Sequence, residues 1–116
     1  MIYNIFELPL PPTKNQIHSV GRSRLFLTKK ALDWYEEAGK ILLTYPDRPK
    51  KPISAKIAVH IFYQLKKDRD IDSGECILDL LQRQMVIEND RQVYRLIINK
   101  TITSLRPGVI INLISF

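Results

Sequence analysis

The sequence predicts a single small α+β domain, in which a mixed β-sheet packs with two helices. Its 116 residues suffice for one domain but not for two. A content of 45% hydrophobic and 26% charged residues is typical of a globular protein. The apolar pattern alternates between period two and helical spacing, in the order β-α-β-α-β-β. No repeat or linker divides residues 1–116, so we expect one domain throughout.

The first half of the chain predicts a strand, a loop and a helix. "IYNIFEL", residues 2–8, is rich in β-branched and aromatic residues and predicts a strand. The segment "PLPPTKNQIHSVGRSR" is expected to form a stiff, exposed loop, because proline lacks an amide donor. Thr28 is placed to cap the helix "KKALDWYEEAGKILLTY", which Pro46 and Pro49 end. The apolar residues at helical spacing in it are Ala31, Leu32, Tyr35, Ala38, Leu42 and Leu43.

The second half predicts a strand, a helix and two further strands. "ISAKIAVHIFYQL" alternates apolar residues and predicts a strand, which we expect to continue to about residue 72. Ser73 can cap the helix "GECILDLLQRQM", whose core residues would be Ile77, Leu80 and Leu81. "IENDRQV" predicts a turn, and "YRLIINKTIT" and "GVIINLISF" predict the last two strands.

The net charge of +6 favours a polyanionic partner, of which nucleic acid is the commonest. Several basic residues fall in predicted loops beside the core, as expected for a surface that follows phosphates. Solubility alone is the alternative explanation. The candidate DNA-binding residues are Lys14, Asn15, Arg22, Arg24, Lys50, Lys51, Lys66 and Lys67. Arg22 and Arg24 are the preferred ones, because guanidinium groups bind phosphate oxygens bidentately.

Other features narrow the setting and the chemistry. No apolar run approaches the roughly 20 residues that span a bilayer, and the first residues do not resemble a signal peptide. The single cysteine, Cys76, and two histidines do not suggest a disulfide or a zinc enzyme. We therefore expect a cytoplasmic protein with no membrane partner and no small-molecule cofactor. Cys76, Trp34, Tyr35 and His60 are interpreted as packing or structural residues.

The stretch "KKDRDIDSGE" places three aspartates within five residues. If the strand continued to residue 72, then Asp68, Asp70 and Asp72 would point to one face. Carboxylates about 4.5 Å apart repel by roughly 4 kcal/mol at an effective dielectric near 20. A divalent cation removes this repulsion, and hard oxygen ligands suit Mg²⁺ or Mn²⁺. Asp90, after the second helix, is the candidate for the further carboxylate that would complete the site beside Asp70 and Asp72.

Such a site would support phosphodiester hydrolysis. The aspartates also have ordinary interpretations, which the residues alone leave open. A D-x-D pair can line an exposed loop, and Asp72 can serve as a carboxylate at a helix start. Asp90 after Asn89 can be a simple turn residue.

Four segments in order resemble the RusA-like family of Holliday junction resolvases. "LPLPPTKNQ" is similar to the family's proline-rich segment, L-P-x-P-P-[ST]-x-N. "RDID" matches its R-D-x-D core, "DLL" resembles the aspartate and leucine of the next helix, and "NDRQV" is similar to D-D-x-Q-V. The resemblance extends over nearly the whole chain.

The resemblance implies a RusA-like fold and a homodimeric crossover junction endodeoxyribonuclease of DNA recombination and repair. Such an enzyme binds four-way junction DNA and makes paired nicks with Mg²⁺, for which Mn²⁺ can substitute. Asp70, Asp72 and Asp90 match the catalytic, metal-binding aspartates of the family. A two-fold dimer suits a junction of two-fold symmetry.

The chain departs from the family after the D-x-D pair. Ser73 replaces an asparagine, and Glu75 and Cys76 stand where a helix lysine is expected. Three explanations are open. Lys66 or Lys67 could supply the charge, Glu75 could act as a fourth metal ligand, or the protein could bind junctions with little cleavage. The alternative function is therefore a catalytically weak or inactive junction-binding protein; a third is a basic domain with an unrelated anionic partner.

Overall fold

The computed structural model describes residues 2–21 and 24–116, with side chains for residues 4–18 and 27–116. The main sheet contains four strands, which are β1 at Ile2–Leu8, β4 at Ile57–Leu65, β5 at Val93–Ile102 and β6 at Gly108–Ser115. Their spatial order is β1-β6-β4-β5. The sheet is mixed, because β4 pairs in parallel with β5 while β6 pairs antiparallel with both β1 and β4. This confirms the predicted α+β fold and element order.

Two main helices pack on one face of the sheet. The first, α2, spans Lys29–Thr44, and the second, α3, spans Gly74–Arg83. Thr28 caps α2 as predicted, since its hydroxyl accepts a hydrogen bond from the amide of Ala31 at 3.2 Å. Alternate residues of β4 and β6 are buried in one core with residues of both helices. Because side chains of a strand alternate between its two faces, the odd-numbered residues of β4, which face this core, are apolar.

The core of the helices differs in detail from the predicted pattern. Ile77, Leu80 and Leu81 are fully buried, as expected for α3. On α2, however, Leu32 and Leu43 are exposed, while the side chain of Trp34 is buried and donates to the carbonyl of Pro9 at 2.9 Å. The buried face of α2 is therefore rotated relative to the predicted one.

The first part of the predicted loop, residues 9–17, which we call the proline-rich segment, is not exposed throughout, and this corrects the prediction. Pro11 and Pro12 are buried, and a short helix α1 follows at Lys14–Ile17. Strands β2 at His18–Gly21 and β3 at Arg24–Leu27 then pair antiparallel in a sheet of their own. Proline rules out an interior strand but does not rule out burial, since its ring is apolar and needs no donor partner.

Strand β4 ends at Leu65, so the prediction that it continues to about residue 72 is wrong. Residues 66–73 form an irregular segment, which we call the acidic segment. Helix α3 also ends slightly earlier than predicted, because Met85 has a positive φ of 59°. The predicted turn is a single 3₁₀ turn at Asp90–Gln92. Among the described residues, no helix has the length and apolar character needed to cross a membrane.

Adjacent leucines on α2 provide a matched test of this packing. Leu42 is fully buried, whereas Leu43 is 62% exposed. We expect Leu42→Ala to lower the free energy of unfolding by about 2–5 kcal/mol, because it leaves a cavity in the core. The control Leu43→Ala removes the same atoms from the surface and should change it by less than about 0.5 kcal/mol. Urea denaturation of both variants measures the difference, and equal losses would contradict the orientation of α2.

Candidate active site

The acidic segment folds back beside the end of β5. Lys100 Nζ lies 2.7 Å from Asp68 Oδ1 and donates to the carbonyl of Arg69 at 3.0 Å. The hydrogen bond from Lys100 lowers the pKa of Asp68. Asp68 is therefore neutralised by a lysine of the sheet, and Asp68, Asp70 and Asp72 do not form the strand face that the sequence predicted.

Arg69 joins the acidic segment to the proline-rich segment. Its Nη2 donates to the carbonyl of Pro11 at 2.7 Å, and its guanidinium lies 5.9 Å from the centre of the Tyr63 ring. Sequence reasoning did not select Arg69, although the R-D-x-D pattern contains it. The geometry assigns it a structural role, because it holds together two segments that are 58 residues apart.

A buried hydrogen bond fixes the junction between the acidic segment and α3. The hydroxyl groups of Tyr63 and Ser73 lie 2.7 Å apart. Ser73 is at the predicted N-cap position, but its side chain makes this contact instead of capping the helix. A Cβ added at Gly74 would lie 2.8 Å from Ile98 Cδ1, so α3 starts in close contact with the middle of β5. These contacts set where Asp72 lies.

Asp72 is exposed and faces the start of α1. Its Oδ1 accepts a hydrogen bond from the backbone amide of Lys14 at 3.0 Å. Asp72 and Glu75 both line a pocket of about 280 Å³ between α1, α2 and α3. We call this the α3 pocket. Its other lining residues are Lys14, Ile17, His18, Leu27, Tyr35, Ser73, Cys76, Asp79 and Arg83. The pocket thus combines two of the predicted metal-binding carboxylates with a predicted DNA-binding lysine.

A network of Tyr35, Asp79 and Arg83 lies farther along the same pocket. Asp79 Oδ2 accepts from the Tyr35 hydroxyl at 2.9 Å and from Arg83 Nε at 2.8 Å. The Arg83 guanidinium also lies 4.4 Å from the centre of the Tyr35 ring. Burial, together with hydrogen bonds to Cys76 and Asp79, raises the pKa of Tyr35 far above its usual value. Tyr35 is therefore a neutral hydrogen-bond donor that orients Asp79.

Asp90 lies at the opposite end of α3 from Asp72. Its backbone amide donates to Gln82 Oε1 at 3.1 Å, near the last turn of α3. The helix rises about 12 Å between Gly74 and Gln82, at 1.5 Å per residue. Metal ligands lie within about 2.6 Å of a shared ion, so this separation is too large for one cation. In the described part of one chain, no group of three or more His, Cys, Asp or Glu residues lies close enough to hold a metal.

The parallel pairing of β4 and β5 explains this separation. Val93, just after the Asp90 turn, pairs with Ile57 at the start of β4, whereas the acidic segment follows the end of β4. A strand, a helix and a return turn therefore bring Asp90 back to the start of β4 and away from Asp70 and Asp72. The assignment of Asp70, Asp72, Asp90 and Glu75 to a metal stays a prediction.

The predicted DNA-binding residues fall into two groups. Lys14, Asn15, Lys66 and Lys67 are exposed near the proline-rich and acidic segments. Lys50 and Lys51 are exposed near the Asp90 turn, since Ile53 forms a bridge with Ile87 and its carbonyl accepts from Gln92 Nε2 at 2.7 Å. Arg22 lies outside the described residues, as does the side chain of Arg24.

Cys76 lines the α3 pocket but is not suited to nucleophilic attack. Burial raises the pKa of the Cys76 thiol, so less thiolate forms at a given pH than in an exposed cysteine. We expect the folded protein to react with a disulfide reagent at pH 8 at least about tenfold more slowly than the urea-unfolded chain. Cys76→Ala should abolish the reaction in both states. Equal rates in the two states would contradict burial of the thiol.

The comparison with known families agrees with the motifs. The family described as Endodeoxyribonuclease RusA matches residues 9–114. The match covers the proline-rich segment, the acidic segment, α3, the Asp90 turn and the last two strands. A search of curated proteins found no match.

Proposed function

We propose, given that the chain belongs to the Endodeoxyribonuclease RusA family, that it is a Mg²⁺-dependent homodimeric endonuclease that resolves four-way DNA junctions by paired nicks. One observation carries this proposal: the exposed carboxylates of Asp72 and Glu75 share a pocket with Lys14. Carboxylates bind a hard cation, and a neighbouring lysine can bind phosphate. The net charge of +6 further supports an anionic substrate.

The carboxylate oxygens of this region fit Mg²⁺ or Mn²⁺ better than a softer metal. Asp70, Asp72 and Glu75 are exposed near the start of α3, where they would hold the ion together with Asp90 of a second copy of the chain. Bound Mg²⁺ would withdraw charge from the phosphate and activate water for attack. The contacts of Tyr63, Arg69 and Lys14 would keep the acidic segment in place while substrate binds.

A homodimer offers a way for Asp90 to reach the other aspartates. Strand β5 is at the edge of the sheet, and its Tyr94, Leu96 and Ile102 side chains are between 40% and 62% exposed. A long apolar edge strand is suited to pairing with another strand. If two β5 edges paired antiparallel about a two-fold axis, Asp90 of one chain would approach the end of the partner's β5, where the partner's acidic segment lies.

The first test of this proposal replaces Asp72. We expect Asp72→Asn to lower junction nicking in Mg²⁺ by at least about 10³-fold, because a carboxylate ligand to the metal is lost. Binding of a labelled four-way junction, measured by gel retardation in Ca²⁺, should change by less than about tenfold. The matched control Asp33→Asn removes an exposed carboxylate on α2 and should leave nicking unchanged. Normal nicking by Asp72→Asn would refute the site assignment.

A mixing experiment tests the two-chain site. Asp72→Asn and Asp90→Asn are expected to be inactive alone, because each lacks one ligand in both sites of the dimer. After subunit exchange, about half of the dimers contain both variants, and each such dimer has one complete site if the ligands come from different chains. We therefore expect the mixture to recover about a quarter of the wild-type nicking sites. No recovery despite exchange, verified by differently tagged chains, would contradict a shared site.

A second function, binding of junctions with little or no cleavage, is favoured by the ion pair of Arg83 with Asp79. The family's lysine is expected at Glu75 or Cys76, in the first turn of α3, whereas Arg83 lies in the last turn. Its Nε is 2.8 Å from Asp79 Oδ2, which neutralises it. A protein that binds junctions without cutting them would show a retarded complex with Mg²⁺ but no nicked product. A basic protein with an unrelated partner would show no preference for a junction over duplex DNA. The same gel assay distinguishes all three functions.

A further inference from the structure

Three cations near the acidic segment and the α3 pocket already make contacts within the protein. Lys100 pairs with Asp68, and Arg69 donates to the carbonyl of Pro11. Arg83 pairs with Asp79 at 2.8 Å. The ion pairs neutralise Lys100 and Arg83, so a phosphate would have to compete for these two cations. Arg69 has no ion pair among the described residues, but its hydrogen bond to Pro11 holds it between two segments of the chain.

Lys14 differs from these three cations. It is exposed, it lines the α3 pocket beside Asp72 and Glu75, and no salt bridge within 4.0 Å joins it to another of the described residues. Its backbone is nevertheless held in place. The Lys14 amide donates to Asp72 Oδ1 at 3.0 Å, and Gln16 N donates to the carbonyl of Thr13 at 2.8 Å in the turn that contains Lys14.

Lys66 does not share this location. It lines a separate shallow cleft with Ile102, Thr103 and Ser104, beyond the end of β5. Lys67, the next residue, is exposed but does not line the α3 pocket. The structure therefore favours Lys14, rather than Lys66 or Lys67, as the source of positive charge beside Asp72.

We propose that Lys14 binds the scissile phosphate and stabilises the charge that develops on it during hydrolysis. The Lys14 ammonium would contact a non-bridging oxygen of the phosphodiester, while Asp72 and Glu75 remain available on the same pocket wall. The hydrogen bond from the Lys14 amide to Asp72 holds the Lys14 backbone beside the carboxylate, within reach of the pocket that both residues line. This inference rests on the proposed nuclease function and assigns a specific residue to it.

The test compares Lys14→Met, which removes the charge and keeps the length, with Lys14→Arg, which keeps the charge. Lys40→Met is the control, because Lys40 is an exposed lysine on α2 whose ion-pair partner is Glu36. By analogy with the loss of one donor to a transition-state oxyanion, we expect Lys14→Met to slow single-turnover nicking about 10²–10³-fold. Lys14→Arg should retain nicking within about tenfold of wild type, and Lys40→Met should match wild type.

Two further measurements separate this role from a structural one. Junction affinity in Ca²⁺ should fall less than about tenfold in Lys14→Met, because one phosphate contact among several is lost. Mn²⁺ affinity, measured by electron paramagnetic resonance, should be unchanged or higher, since a positive charge near the carboxylates has been removed. Nicking by Lys14→Met at the Lys40→Met rate, or loss of Mn²⁺ binding in Lys14→Met, would overturn the proposal.

If the wild-type protein does not nick junctions, the proposed nuclease function fails, and phosphate binding by Lys14 is then tested directly. The probe is thymidylyl-thymidine, which contains one phosphodiester, added to ¹⁵N-labelled protein. We expect the amide signals of Lys14, Asp72 and Glu75 to shift in the wild type and not in Lys14→Met. No shift in the wild type, or the same shift in both proteins, would refute phosphate binding at Lys14.

Discussion

The parallel pairing of β4 with β5 is the constraint on which the arrangement of the candidate site depends. In a parallel pair both strands run in the same direction, so the connection must return from the end of one to the start of the other. Helix α3 makes this return, from the acidic segment to the Asp90 turn. Asp70 and Asp72 consequently lie at one end of this helix, and Asp90 lies at the other.

This constraint makes assembly relevant to function. A single chain presents Asp72 and Glu75 in the α3 pocket and Asp90 about 12 Å farther along the helix axis. The edge position of β5 and its exposed apolar side chains suit a second copy of the chain. Under the proposed function, dimerisation would complete the metal site as well as match the symmetry of the junction. Stability of the dimer and catalysis would then be coupled.

Three contacts hold the proline-rich segment, the acidic segment and α3 together as one unit. They are the Tyr63–Ser73 hydrogen bond, the Arg69 contact to the carbonyl of Pro11, and the Lys14 amide bond to Asp72. Lys14, Asp72 and Ser73 line the α3 pocket, whereas Arg69 and Pro11 line a separate pocket, and the first of the three contacts is fully buried. A backbone held in this way loses little conformational freedom when substrate binds, which favours placement of the Lys14 backbone and the Asp72 carboxylate on one wall of the pocket.

The sequence by itself determined the order and type of the main elements, because β4, β6, α2 and α3 each have a clear apolar period. It also determined the family motifs, which lie in short local stretches. The tertiary structure alone decided that the strand ends at Leu65, that the prolines are buried, and that Lys100 neutralises Asp68. It also decided how far Asp90 lies from Asp72. Local patterns do not encode these features, since each depends on contacts between residues far apart in the chain, and above all on whether β5 pairs parallel or antiparallel with β4.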